Sequence, residues 1–154
     1  LRQLQEQFRN KTVQKYYFAL VMGEWKASCK KVTAPLMKNE VNSIVRVNPN
    51  GKASDTRFKV IERLEQATLV QASPITGRTH QIRVHCQYTG HPIAWDDRYG
   101  DPRFDAYTKK SGLNRLFLHA ANIKFKHPKT EELMDINAPM EPMLTRAIEQ
   151  LRKK

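Results

Sequence analysis

Residues 67–92 read ATLVQASPITGRTHQIRVHCQYTGHP, and the order of their apolar residues and breakers decides the local architecture. Ala67 to Ser73 carries Leu69 and Val70 in a strand-like run. Thr76-Gly77 interrupts it, and Thr79 is placed to cap a helix running through Gln81, Ile82, Arg83, Cys86 and Gln87. Gly90 followed by Pro92 supplies the stop. The segment therefore predicts a strand, a tight turn and a short helix.

Outward from it, short alternating segments dominate. Ser54 to Leu64 alternates charged and apolar residues, so it and Ala67–Ser73 predict two antiparallel strands, each with one wet face. Upstream, Tyr16 to Met22 is an aromatic and β-branched run closed by Gly23, the pattern of a strand buried on both faces. Ser43 to Val47 predicts another strand, and Asn48-Pro49-Asn50-Gly51 suits a tight hairpin turn. Downstream, Asp96 to Lys110 is polar and turn-rich and reads as a surface loop. Leu116–His119 and Asn122–Lys126 alternate again, and Leu133–Ile136 can pair back across 127–132. Pro142 opens a last helix with Leu144, Ile148 and Leu151 on one side and cations at its end. At the start, Leu1, Leu4 and Phe8 sit at helical spacing with no cap before them, so the chain reads as opening inside a helix. The expectation is one α+β domain over residues 1–154, a mixed, largely antiparallel sheet with short flanking helices.

Composition sets the partners. The 154 residues carry 27 Lys+Arg against 15 Asp+Glu, a formal charge of +12. Residues 1–77 hold 13 cations and 6 acids and residues 78–154 hold 14 and 9, so the charge belongs to the folded surface and points to a polyanion. Tyr16–Met22 is far short of the roughly 20 apolar residues a membrane helix needs. Cys29 and Cys86 are too few and too far apart for a disulfide scaffold, which points to buried thiols in the cytoplasm.

Several chemistries are excluded by spacing. The five histidines contain no HxxxH pair, so no metal site is expected. Neither GxGxxG nor GxxxxGK[ST] nor GxSxG occurs, so no nucleotide cofactor and no nucleophile elbow are expected. What remains is Pro74 to His85, where Arg78 and Arg83 stand five apart around His80 and Gln81 at a helix start. Free N–H groups with arginines beside them suit phosphate or carboxylate. Composition alone favours a solvated basic helix over such a site.

The words themselves are more specific. Gly77-Arg78-Thr79-His80-Gln81-Ile82-Arg83-Val84-His85, then Gly90-His91-Pro92-Ile93 and Asp97-Arg98-Tyr99-Gly100, resemble the RluA family of RNA pseudouridine synthases. Lys15-Tyr16-Tyr17-Phe18-Ala19-Leu20-Val21 is similar to its K-x-Y-x-A strand, and Leu116-Phe117-Leu118-His119-Ala120 to its L-x-L-H-A strand. The resemblance covers about residues 1–138. It implies isomerisation of uridines in large-subunit ribosomal RNA without a cofactor, the base being flipped into a pocket and stacked on a side chain. By that resemblance Tyr17 is a catalytic residue, the stacking ring with its hydroxyl a candidate for proton handling, and Arg83 is the other, pairing with the catalytic aspartate. Lys15, Arg78, His80, Gln81 and Arg98 face RNA, with a loop-fixing role open for Arg78, His80 and Gln81. Leu118 walls the pocket, and His119 is a hydrogen-bonded structural residue rather than a catalyst. Read without the resemblance, Tyr17 is a core residue of its strand, and plain core packing fits Leu118 as well as a pocket wall does.

The family word H-R-L-D-x-x-T-S-G, which holds that aspartate, does not occur in the sequence. The resemblance places it upstream, along with the small RNA-binding S4 domain such enzymes often carry. Three expectations follow: the 154 residues are inactive alone, Arg83 faces solvent or an anion, and an apolar sheet edge lies open beside Tyr17 and Leu118. Asp96, Asp97 and Asp101 read as turn and surface groups. Two other readings stand beside the isomerase: a non-catalytic RNA-binding module, and a basic ribosome-associated structural protein with no aromatic pocket.

Overall fold

A computed structural model describes residues 13–152; the helix expected around Leu1, Leu4 and Phe8 lies outside them, as do the last two lysines. The chain runs β1 (Gln14–Met22), β2 (Lys31–Val32), β3 (Leu36–Lys38), β4 (Val45–Val47), β5 (Thr56–Arg63) and β6 (Ala67–Pro74). It continues through α1 (Gln81–Tyr88), α2 (Pro102–Lys109), β7 (Leu118–Lys126), β8 (Leu133–Asn137) and α3 (Pro142–Arg152). Six strands form one sheet in the order β2-β5-β6-β1-β7-β8, and β3 with β4 forms a small second one. Every strand pair among the described residues is antiparallel.

The continuous apolar run of β1 is explained by its place, because it is covered on both faces and paired on both sides. Ala19 and Val21 pack with Val70, Ala72, Ile82 and Cys86 on the face that carries α1. Leu20 faces the other way and packs with Leu69, Phe104 of α2 and Leu144 and Ile148 of α3. Period-two alternation of side chains thus feeds two separate cores from one strand. Each fully buried aliphatic chain contributes about 1.5–3 kcal/mol. With β6 on one side and β7 on the other, β1 has no open edge beside Tyr17, contrary to the expectation. The sheet's edges are β2 and β8.

Other expectations hold or shift for local reasons. β5 alternates as read, with Phe58 buried between exposed Arg57 and Lys59. β6 has no wet face: Leu69 enters one core and Val70 the other. The turn at 48–51 does not join two paired strands. It brings Lys52 back to exchange backbone hydrogen bonds with Leu36, while β4 pairs with β3. That return needs Gly51, since a Cβ there would lie 2.5 Å from the Leu36 carbonyl. Residues 96–110 are not all loop. Asp101 Oδ1 accepts from the Arg103 N–H at 2.8 Å and Pro102 occupies the first helical turn, a cap that starts α2. β8 pairs back onto β7, and α3 buries Leu144, Ile148 and Leu151 as the spacing predicts. Cys86 is buried and Cys29 half-buried, both free.

Candidate active site

The ends of β1 and β6, the loop 76–80, α1 and Leu118 of β7 enclose a cavity of about 250 Å³. Tyr17 reaches it because it shares the face of Ala19 and Val21. A bulge between Tyr16 and Tyr17 in the pairing with β7 re-aims the strand just there. Leu118 lies directly across from Ala19, one position diagonal to Tyr17 and on the same face. Tyr17, Leu118 and Ile82 make the apolar wall, and the Lys15 ammonium stands 5.9 Å from the centre of the Tyr17 ring.

The opposite wall is the loop into α1. Gln81 is 4% exposed and uses its whole side chain internally. Its Nε2 donates to the Asp55 carbonyl at 2.9 Å and to Thr56 Oγ1 at 2.8 Å, while Oε1 accepts from Thr76 Oγ1 at 2.6 Å and the Arg78 N–H at 3.0 Å. Of the two roles open for Gln81, this is loop fixing: no polar atom is left over for RNA. Thr79 is not the cap. The helix starts from His80 in the left-handed region, φ 52°, with no side-chain cap, and Gln81 organises the turn instead. The chain of bonds continues inward, since Thr56 Oγ1 lies 2.8 Å from His85 Nδ1 and His85 Nε2 lies 2.9 Å from the Ala34 carbonyl. Burial pushes His85 below its ordinary pKa, so a neutral ring donates to Ala34 and accepts from Thr56.

His80 turns its Nδ1 to the Tyr99 hydroxyl at 2.9 Å, and that hydroxyl accepts the Val45 N–H at 3.0 Å. Partial burial, with Arg83 and Arg98 nearby, holds His80 below its ordinary pKa. A neutral imidazole accepting from Tyr99 satisfies all three groups.

Arg83 does not face solvent or a stray anion. Its Nε donates to Asp96 Oδ2 at 2.9 Å and its Nη2 to Asp96 Oδ1 at 2.7 Å, a bidentate pair. Its guanidinium also lies 5.1 Å over the Tyr99 ring. Nor is Asp96 a surface group: its side chain has no exposure, and Oδ1 also accepts the N–H groups of Arg98 and Tyr99 at 3.1 and 3.0 Å. Burial alone would push this carboxyl up, but Arg83 and the two amides outweigh it and hold it below its ordinary range. Arg83 is raised correspondingly, first by its bonds to Asp96. Asp97, 88% exposed, touches Arg83 Nη2 at 3.3 Å, and Asp101 caps α2 as described.

Seven of the eight residues singled out from sequence line the one cavity: Tyr17, Arg83 and Leu118, with Lys15, Arg78, His80 and Gln81. Arg98 does not line it; it is exposed beyond Asp96 and acts on His80 through charge. His119 Nε2 donates to the Ala138 carbonyl at 2.9 Å, a structural bond. Asp96 and Tyr99 are the residues that sequence reasoning misses, although Tyr99 sits in a quoted word and Asp96 directly precedes it. Among the described residues no three His, Cys, Asp or Glu side chains gather as a metal site.

The sequence pattern of the family described as RNA pseudouridylate synthase matches residues 1–88, a span that includes Tyr17, Arg78, His80 and Arg83. The chain belongs to the RNA pseudouridylate synthase family. Among its relatives, the ribosomal large subunit pseudouridine synthase C of Vibrio vulnificus is 78% identical over 152 residues, covering 99% of this chain and 48% of that protein. The protein of the same name from Escherichia coli K12 is 59% identical over 157 residues, covering 99% and 49%. This chain spans about half the length of such pseudouridine synthases. The human RNA pseudouridylate synthase domain containing 4 superposes with a TM-score of 0.78 at 25% identity, covering 98% of this chain and 67% of that one. The antiparallel sheet and its flanking helices are thus the architecture of a pseudouridylate synthase domain. No helix among the described residues is long and apolar enough to cross a membrane.

Proposed function

We propose that residues 1–154 are the C-terminal portion of the catalytic domain of a cytoplasmic enzyme that converts uridines of large-subunit ribosomal RNA to pseudouridine. The observation that carries this reading is the convergence of Tyr17, Leu118 and Arg83 on one cavity. Its apolar wall suits a flipped base, and its cationic rim of Lys15, Arg78 and Arg83 suits the phosphate and sugar side. The reaction breaks the bond between ribose C1′ and uracil N1, turns the freed base and joins C5 to C1′, the C5 proton leaving in exchange for one at N1. Nothing is oxidised or reduced, so no redox cofactor is needed. Tyr17 and Leu118 hold the base during its rotation. Arg83 holds Asp96 through Nε and Nη2, which leaves Nη1 to pair with a further carboxylate at the sugar.

The carboxylate is the part these residues do not supply by motif. Asp96 is committed to Arg83 and two backbone amides, so it is not free to act at a ribose. That commitment favours a second reading for the isolated 154 residues, a module that binds RNA without turning it over. The test is pseudouridine mapping on transcribed ribosomal RNA with the 154-residue chain and with a longer protein carrying the His-Arg-Leu-Asp word. Activity only in the longer protein is expected. Turnover by the 154 residues alone would overturn the assignment and direct attention to Asp97.

A further inference from the structure

A second cavity, about 400 Å³, adjoins the first and is walled by the β3–β4 hairpin, residues 50–52 and the loop 77–79. The two cavities share Gly77 and Arg78. Lys38, Lys52 and Arg78 line the second one against a single acid, Glu40. Lys38 and Lys52 are exposed, and no ion pair among the described residues engages either. Arg78 is pinned by its Nε to the Ala53 carbonyl at 2.9 Å, which leaves its terminal nitrogens for another acceptor. The floor is apolar, from Leu36 and Val45.

Gly77 points the same way. Each of the other five glycines has either a positive φ or a backbone atom closer than 3 Å to where a Cβ would sit. Gly77 has neither, and a Cβ there would meet nothing within 4 Å. The fold does not require a glycine at this position. A side chain there would project into open space beside the lining that the two cavities share.

We propose that the second cavity is the track for the sugar–phosphate backbone of the RNA strand flanking the flipped nucleotide, with Lys38, Lys52 and Arg78 on its phosphates and Gly77 as the crossing point. This rests on the reading of the Tyr17 cavity as the base pocket. A single strand matches the site because its successive phosphates can meet the three cations that line one groove beside the base pocket.

The test is fluorescence anisotropy of a labelled 12-nucleotide polyuridine RNA with the full-length protein over a series of salt concentrations. Lys38→Ala/Lys52→Ala should flatten the log–log salt slope by about 1.4, at about 0.7 per phosphate contact for a single strand. Gly77→Val should keep the wild-type melting temperature yet weaken binding by about fivefold or more, the mark of a residue central to an interface. Tyr17→Ala should weaken binding with the slope intact. An unchanged slope in the double lysine variant, no binding by the wild type, or equal displacement by polyglutamate would overturn the track. A slope lost with the lysines while Tyr17→Ala has no effect would keep the track and refute the base pocket.

Discussion

Asp96→Asn exchanges one oxygen for an NH₂ group and removes a charge that is buried beside Arg83. Oδ1 can go on accepting from the Arg98 and Tyr99 amides and from Arg83 Nη2. The new amide nitrogen then faces Arg83 Nε, a donor against a donor, where the native pair is 2.9 Å long. Losing a hydrogen bond to a charged group costs about 1.5–3 kcal/mol, and severing a fully buried ion pair about 3–5 kcal/mol. Arg83 retains 16% exposure of its side chain, so water reaches it and the lower range applies, about 2 kcal/mol. In a domain of this size each kcal/mol moves the melting temperature by about 2–4 °C, so a fall of about 4–8 °C is expected. Differential scanning calorimetry at pH 7 measures it, with Asp97→Asn as the control. The Asp97 carboxylate is 88% exposed and its loss should stay within about 0.5 kcal/mol. If the two variants melt together, Asp96 does not anchor Arg83 and the buried pair has no energetic content.

Tyr99→Phe should leave the buried Val45 N–H without an acceptor at a cost of about 1–3 kcal/mol, measured by urea unfolding; a loss below about 0.5 kcal/mol would mean that water replaces the hydroxyl. Gly100→Ala should destabilise by about 1–3 kcal/mol through overpacking, because the added Cβ would lie 2.3 Å from the Asp96 carbonyl; a wild-type melting temperature would count against this crowding. Acidification should lower the melting temperature in two stages. His85 and His80 sit below their ordinary pKa in the fold, so below about pH 6.5 the unfolded chain takes up protons first and stability falls. Asp96, also held low, adds a further loss below about pH 4 by the same sign. A melting temperature that is flat or rising from pH 7.5 to 5.5 would contradict the first stage.

What could be read from the sequence was whatever a short window records. The run 16–22 announced the centre of the sheet because a strand covered on both faces leaves no polar positions. The polarity of 96–110 hid α2, for only Phe104 and Thr108 are buried along it; the Asp101-Pro102 start was the available signal. β3 and β4 are three residues each, too short for periodicity. The partner of Arg83 was beyond local reading. Asp96 is 13 residues away in sequence, and it is turned inward after Trp95 adopts φ 62° and donates its N–H to Asp105 Oδ1 at 2.7 Å. In a word such as Asp96-Asp97-Arg98 two neighbouring acids look alike, while the fold gives one no exposure and the other nearly all.

The central strand also comes before both of its neighbours in the chain. Tyr17 is matched in register with Ala72 of β6 and with Ala120 of β7, roughly 55 and 100 residues later. Topology of this kind slows folding, since long loops must close before the contacts that reward closure can form. On a ribosome adding about 5–20 residues per second, the second neighbour follows β1 by about 5–20 s. For that interval the apolar run of β1 has at most its pairing with β6 to cover one edge, and the other edge stands open to association with other chains.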